Sequence, residues 1–401
     1  MGRLLCDLNV IDQRTIDRYR TEATKIGKSS FALAWVLDQG TEERTRGVTI
    51  DIAMSKFSTE KTSFTILDAP GHRDFIPNMI AGASQADFAV LVIDASTGSF
   101  ESGLRGQTKE HALLVRSMGV QRIIIAVNKL DTVSWSQDRF TEITQQISAF
   151  LQQAGFQSKN ISFIPCSGLL GDNIARKSED QNAKWYQGPT LVEELDNSEP
   201  ITRALENPLR LTISDIFRGG VQNPLSISGR IEAGSLQIGD ALLAQPSTQK
   251  CYIKGLETSE GETVDWAVAG QNVVLHLNDI DPIHLKIGDV LCSPKEGERI
   301  RNLREFTAKV LAFEFLMPMA VDVIKGRLQA EGRIEGGLEV LDKGTGVAIG
   351  GGTGKKKKPR IVKPGQVARV KVVLEREVPL EKGARIVLRC GGETVAAGLL
   401  E

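Results

Sequence analysis

Four short, largely apolar runs lie between residues 64 and 165, and three of them lead into a polar or small-residue motif. Residues 64–67 lead into Asp68-Ala69-Pro70-Gly71-His72, and residues 88–94 form a continuous run of strand length. Residues 122–127 lead into Asn128-Lys129-Leu130-Asp131, and residues 161–165 into Cys166-Ser167-Gly168-Leu169. Apolar runs of strand length without alternation suit strands covered on both faces. Helical patterns start at Asp74 and fill residues 108–118 and 137–154 between them. Strands alternating with helices predict an α/β layer built on a parallel sheet, whose ligand lies at the carboxyl ends of the strands. All of these motifs sit at such ends.

The residue types at those ends suit one chemistry. An aspartate leaving a strand can hold a magnesium ion through water, and a glycine three positions on lets a backbone N–H approach a terminal phosphate. Asp68 and Gly71 have that spacing. Upstream, the charged stretch 38–50 passes into a strand through Arg46-Gly47-Val48-Thr49. A threonine hydroxyl there fits a loop that closes on magnesium and the γ-phosphate. Asn128-Lys129-Leu130-Asp131 is the most specific motif. Its aspartate can accept from the N1–H and exocyclic amine of guanine, whereas adenine would leave it unpaired. The asparagine can tie loops together, and the lysine stem can lie over the base. Ser167 and the Gly168 N–H can meet the guanine O6. Each motif alone has a plainer alternative: a solvated loop for 38–50, an N-cap and turn after residue 127, a surface histidine for His72. Cys166 reads as packing.

Composition removes other classes. The 401 residues carry a formal net charge of −1, so nucleic acid would have to be met by local patches. Five cysteines without CxxC spacing suit reduced thiols rather than a disulfide framework or zinc site. The four histidines (His72, His111, His276, His284) show no metal-ligand spacing. No apolar run approaches membrane-spanning length, and no signal peptide opens the chain, so a cytoplasmic protein without a membrane partner is expected.

The ends of the chain differ in period. Leu4, Leu5 and Leu8 would share one helix face, and residues 12–30 have a polar helical pattern. Residues 171–207 read as a polar surface segment with a short helix near Leu191. From Leu209 the period becomes two, and glycine turns recur at Gly234, Gly239, Gly261 and Gly288. Short strands between close turns predict a small closed barrel, and a second all-β stretch follows from Phe306. His276 is expected on a strand surface, and Lys355–Lys358 at a solvated hairpin tip.

In the order RGVT, DAPGH, NKLD and CSGL, these motifs resemble the G domain of translational GTPases, in the branch containing elongation factor 1-alpha and release factor 3. The stretch 97–107, Thr-Gly-Ser-Phe-Glu-Ser-Gly-Leu-Arg-Gly-Gln, reads as a loop and is similar to an insertion of the eukaryotic and archaeal factors. Residues 26–35, 211–217 and 391–398 look most like the ribosome-rescue GTPases that partner Pelota, fungal forms in particular. The resemblance implies a GTP-binding domain over 1–200 and β-barrel domains over 207–298 and 303–401. It implies GTP, GDP and Mg2+ as ligands, with Thr49 and Asp68 on the metal, Gly71 on the γ-phosphate and His72 orienting the attacking water. Val48 would belong to an apolar gate. Asn128, Lys129, Asp131, Ser167, Gly168 and Leu169 would bind guanine. It also implies a monomer acting on the ribosome, contacting ribosomal RNA and a Pelota-type protein, in rescue and no-go decay. Delivery of a release factor or aminoacyl-tRNA is the near alternative.

One departure stands out. No GxxxxGK[ST] occurs in the 401 residues. In the resembled family that P-loop, and a strand before it, would precede the helix that here opens the chain. The expected fold is therefore a P-loop-type α/β GTPase domain lacking its first strand and P-loop, followed by two all-β barrels. Loss of three or four charge-assisted hydrogen bonds, at about 1.5–3 kcal/mol each, would weaken GTP binding by about a thousandfold or more. A chain begun at an internal methionine is the simplest expectation. A nucleotide-free protein that docks on the ribosome or Pelota is the alternative from another class.

Overall fold

The computed structural model describes residues 1–25, 33–37, 43, 49, 51–199, 202–217, 225–259, 261–342, 345–349 and 361–401. It divides into two compact units, Met1–Pro200 and Ile201–Glu401.

The first unit opens with helices α1 (Gly2–Asp7) and α2 (Gln13–Lys25). Leu4 and Leu5 of α1 are buried, as their shared face requires. The helical pattern begins where Asp12 accepts the Thr15 N–H at 2.6 Å, an N-cap that fixes the start of α2. Residues 26–30 of that pattern lie outside the described residues. Strands β1 (Ala53–Ser58) and β2 (Ser63–Asp68) form an antiparallel hairpin. Helix α3 (Ile76–Ala83) follows, then β3 (Ala89–Asp94), α4 (Ser99–Arg105), α5 (Gln107–Ser117), β4 (Ile123–Asn128), α6 (Gln137–Gln153), β5 (Ile161–Pro165) and α7 (Leu191–Asp196).

Strands β3, β4 and β5 form the expected parallel sheet in that order. Strand β4 is apolar from Ile123 to Val127 because both faces are covered. Ile123, Ile125 and Val127 pack with Ile143, Ile147 and Leu151 of α6. Ile124 and Ala126 pack with Leu4, Leu5, Leu191 and Leu195. The strand carrying Asp68 departs from expectation. It pairs antiparallel with β1 alone among the described residues, and of its side chains only Ile66 is buried. Strand β3 departs too: among the described residues it pairs only with β4, and Val92 is 53% exposed. A strand with one bonded neighbour cannot be as buried as a central one.

Two further segments differ from the sequence-based expectation. Stretch 97–107 contains α4 rather than a plain loop. Phe100 is buried, and the Glu101 carboxylate accepts the Gly98 N–H at 2.7 Å, which starts the helix. Segment 171–199 is not wholly at the surface. Asn173 is buried, donating to the Pro165 carbonyl at 2.9 Å and accepting from the Ser178 N–H. Thr190 and Glu193 form a capping box on α7, and Arg122 reaches the buried Glu194 at 2.7 Å.

In the second unit, strands β6 (Arg210–Phe217), β7 (Ser226–Ala233), β8 (Ser235–Gln237), β9 (Ala241–Gln245), β10 (Gln249–Thr258), β11 (Trp266–Val268), β12 (Asn272–Asn278) and β13 (Val290–Cys292) come first. Six close into a barrel in the order β10-β12-β7-β6-β13-β9, and β8 pairs with β11 beside it. Alternation breaks in β6, where Leu211, Thr212 and Ile213 are all buried, because register shifts interrupt its pairing with β7. Strands β14 (Asn302–Ala312), β15 (Met319–Lys325), β16 (Leu328–Ile334), β17 (Glu339–Leu341), β18 (Val367–Pro379), β19 (Arg385–Cys390) and β20 (Glu393–Leu400) follow. Because β14 bonds both β20 and β18, the order β14-β20-β19-β15-β16-β18 returns on itself as a second barrel, with β17 pairing the start of β18 opposite β14. The α/β domain followed by two barrels is the fold that the sequence implied.

His276 is not a free surface residue of β12. Its ring lies 2.7 Å from Ser226 Oγ and 2.9 Å from Glu257 Oε1, and its side chain is 12% exposed. Lys355–Lys358 lie outside the described residues.

One buried acid makes the second unit sensitive to pH. Asp289 is 3% exposed, and its carboxylate accepts the Lys286 N–H at 2.9 Å. Burial pushes its pKa up to about 6, against the pull of that N–H, Arg376 and Lys286. A raised folded pKa means the folded state binds the proton more tightly. Stability from this group is therefore complete below about pH 4 and lost as pH rises to about 6, at roughly 1.4 kcal/mol per pKa unit, or about 3 kcal/mol in all. Urea titrations of wild type and Asp289→Asn at pH 4.5 and 7.5 should show the variant gaining about 1–3 kcal/mol relative to wild type on going to the higher pH. An equal difference at both values would show that Asp289 does not titrate in this range.

Candidate nucleotide site

The ends of β4 and β5 bring six candidate residues together. After β4, Lys129 adopts a left-handed backbone (φ 64°), and a short 3-10 turn, Leu130–Val133, follows. Leu130 N–H donates to the Cys166 carbonyl, which ties this turn to the loop after β5. Asn128 Oδ1 accepts the Gly168 N–H at 2.7 Å, the loop-tying role that asparagine suits. Glycine at 168 eases that approach, since a Cβ there would stand a tight 3.2 Å from Asn128 Oδ1. Ser167 is fully buried, and its hydroxyl accepts the Leu170 N–H at 3.2 Å. Leu169 is 71% exposed beside it, and its carbonyl accepts from Arg3 at 3.3 Å.

Asp131 gives this arrangement its chemical direction. Its Oδ1 is buried yet has no hydrogen-bond partner among the described residues. A buried carboxylate oxygen without a donor costs free energy that a ligand donor would recover. Lys129 ends 2.7 Å from Asp94 Oδ2, and Asp94 lies opposite Asn128 in the β3–β4 register. Burial raises the Asp94 pKa, but hydrogen bonds from Lys129 and Ser96 outweigh it and hold the carboxyl below its usual range. Cys166, 3% exposed, is pushed up to about 12 by burial, as expected of a packing thiol.

The phosphate-side candidates lie elsewhere, at the end of the β1–β2 hairpin. Asp68 closes β2 opposite Ala53 and is half-buried. Gly71 is exposed, in the turn that follows. His72 is 48% exposed; its Nδ1 accepts the Asp74 N–H at 3.3 Å, and its ring lies 5.8 Å from that of Phe75. Thr49 is half-buried, whereas Val48 lies outside the described residues. A hydroxyl and a carboxylate are hard oxygen donors. They suit magnesium, which retains several waters and takes phosphate oxygens beside one or two protein ligands. The donor set thus fits that ion.

Three residues near these motifs were not found by sequence reasoning. Asp94 ends a strand, a placement that could have flagged it. Arg139 donates to the Ala95 and Ser96 carbonyls and pairs with Glu101 at 2.8 Å, holding that carboxyl down at about 2. His111 comes from α5; a Cβ on Gly71 would lie 3.9 Å from its Cε1, and its buried Nε2 has no partner among the described residues.

Comparison with known proteins gives the family. Residues 1–206 match the elongation factor Tu GTP binding domain, and residues 341–401 the elongation factor Tu C-terminal domain. The chain is 39% identical over 414 residues to Protein HBS1 of Drosophila melanogaster, covering all of this chain and 60% of that protein. It is 38% identical over 416 residues to an elongation factor 1 alpha-like protein of Schizosaccharomyces pombe, covering 100% of this chain and 67% of the relative. The chain therefore spans less than two thirds of the fly protein's length. Among solved structures, the GTPase-like domain of Saccharomyces cerevisiae Ski7, bound to GDP and inorganic phosphate, superposes with a TM-score of 0.79 at 20% identity. That match covers 100% of this chain and 93% of the Ski7 chain, a likeness of fold. On its sequence matches, supported by the α/β domain and two barrels, this chain belongs to the elongation factor Tu and elongation factor 1-alpha family of translational GTPases.

Proposed function

We propose that this protein binds guanine nucleotide and hydrolyses GTP to GDP and phosphate on the ribosome, in rescue of stalled ribosomes with a Pelota-type partner. The observation that carries the nucleotide reading is the unpartnered, buried Oδ1 of Asp131, between loops already tied by Asn128 and Gly168. That oxygen and its mate would accept from the guanine N1–H and amine. Ser167 and the Gly168 N–H would meet the O6, and the Lys129 stem and Leu169 would flank the ring.

On the phosphate side, Gly71 would donate its N–H to the γ-phosphate. Thr49 and Asp68 would hold magnesium, which when bound neutralises charge on the phosphates. His72 would orient the attacking water by an in-line path; in this structure its Nδ1 takes the Asp74 N–H, so it would have to turn. The rescue role is supported by similarity to Protein HBS1 along the whole chain and by stretches 26–35, 211–217 and 391–398. Similarity to the elongation factor 1 alpha-like protein keeps delivery of a release factor or aminoacyl-tRNA as the near alternative.

Titration of fluorescent GDP and ATP, with magnesium, tests the nucleotide reading. Saturable GDP binding with no comparable ATP binding is expected, and equal affinities would sink it.

A further inference from the structure

We propose that Asp94 sets the affinity of the guanine slot by tethering the Lys129 ammonium. The inference rests on the nucleotide reading above and assigns a positioning residue within it. Asp94 is in register with Asn128 on the neighbouring strand, one residue before Lys129. The left-handed backbone at Lys129 fixes where its stem begins, and the 2.7 Å contact with Asp94 Oδ2 fixes where it ends. A lysine has several rotatable bonds, and an untethered stem would lose that freedom on covering a purine ring. Held at both ends, it has already lost it, so less binding free energy is spent on ordering.

The acid is itself held. Its Oδ1 accepts the Ser96 N–H at 2.9 Å. The next two carbonyls, of Ala95 and Ser96, accept from Arg139 at 3.0 and 3.4 Å. Arg139 is anchored in turn by Glu101 and Glu142, each at 2.8 Å, and lies 5.3 Å over the Phe100 ring. The turn that presents Asp94 is thus clamped between α4 and α6. Nothing in this arrangement requires Asp94 to touch the nucleotide; it acts through Lys129.

A double-mutant cycle separates that role from simple support of the fold. Fluorescent GDP would be titrated into the full chain as wild type, Asp94→Asn, Lys129→Met and the double variant. Asp94→Asn alone is expected to weaken binding about tenfold. In the Lys129→Met background the same change should cost less than about twofold, since no ammonium remains to be held. An equal tenfold loss in both backgrounds would overturn the proposal, because it would place the effect in the turn. Should Asp94→Asn fail to fold, Asp94→Ser keeps an acceptor for the Ser96 N–H and serves in the same cycle. Absence of GDP binding by wild type would remove the nucleotide reading and this proposal together. Wild-type binding with additive variants would remove the proposal alone.

Discussion

Replacing Asp131 with alanine is expected to weaken GDP binding by about a thousandfold while leaving the fold intact. The side chain's Oδ1 has no partner among the described residues, so its removal breaks no hydrogen bond to them at that atom. With guanine present, two charge-assisted hydrogen bonds are lost, each worth about 1.5–3 kcal/mol, and the base's own donors are left unpaired in a partly enclosed slot. About 4 kcal/mol corresponds to three decades in Kd. Fluorescent GDP titration measures the loss, and thermal unfolding of the apo chain is the control. A change below tenfold would mean that Asp131 does not meet the base.

The second large effect is on turnover. His72→Ala is expected to lower ribosome-stimulated GTP hydrolysis by about a hundred- to a thousandfold, the range for loss of a group that positions or deprotonates a nucleophile. GTP affinity should stay within about twofold. The side chain is half-exposed, and its contacts with the Asp74 N–H, the Asp74 carboxylate at 3.6 Å and the Phe75 ring lie outside the proposed nucleotide contacts. His72→Gln, which can still hold a water by hydrogen bonding, should retain more activity than the alanine variant. A loss confined to KM would reassign His72 to binding.

What the sequence made legible and what it hid divide along one physical line. The Asn128–Asp131 turn, buried β4 and the two barrels are written in local chemistry: apolar period, glycine turns and a motif whose donors and acceptors match one base. Three features depend on partners far away in sequence. Helix α4 is only seven residues long and contains a glycine, but Phe100 is sunk into the core and Arg139 grips it from α6. His276 fits a strand surface by alternation, and only folding brings it between Ser226 and Glu257. Asp94 reads as the last residue of an apolar run, and its bond to Lys129 exists because β3 and β4 are neighbours in register. The hairpin pairing of β2 was hidden for a different reason. An apolar run shows that a strand is covered but not which way its neighbour points.

Strand β3 has a solution-phase consequence. It offers six residues, Ala-Val-Leu-Val-Ile-Asp, with a pairing partner on one side only among the described residues and Val92 more than half exposed. Such a margin is adhesive. Its row of N–H and C=O groups can recruit any extended chain of similar character, including the same strand of another copy, and no proline or lysine within it discourages the encounter. Concentration thus becomes a variable of state for this protein: handling that keeps copies dilute preserves the sheet as described, and crowding turns the margin into a seed.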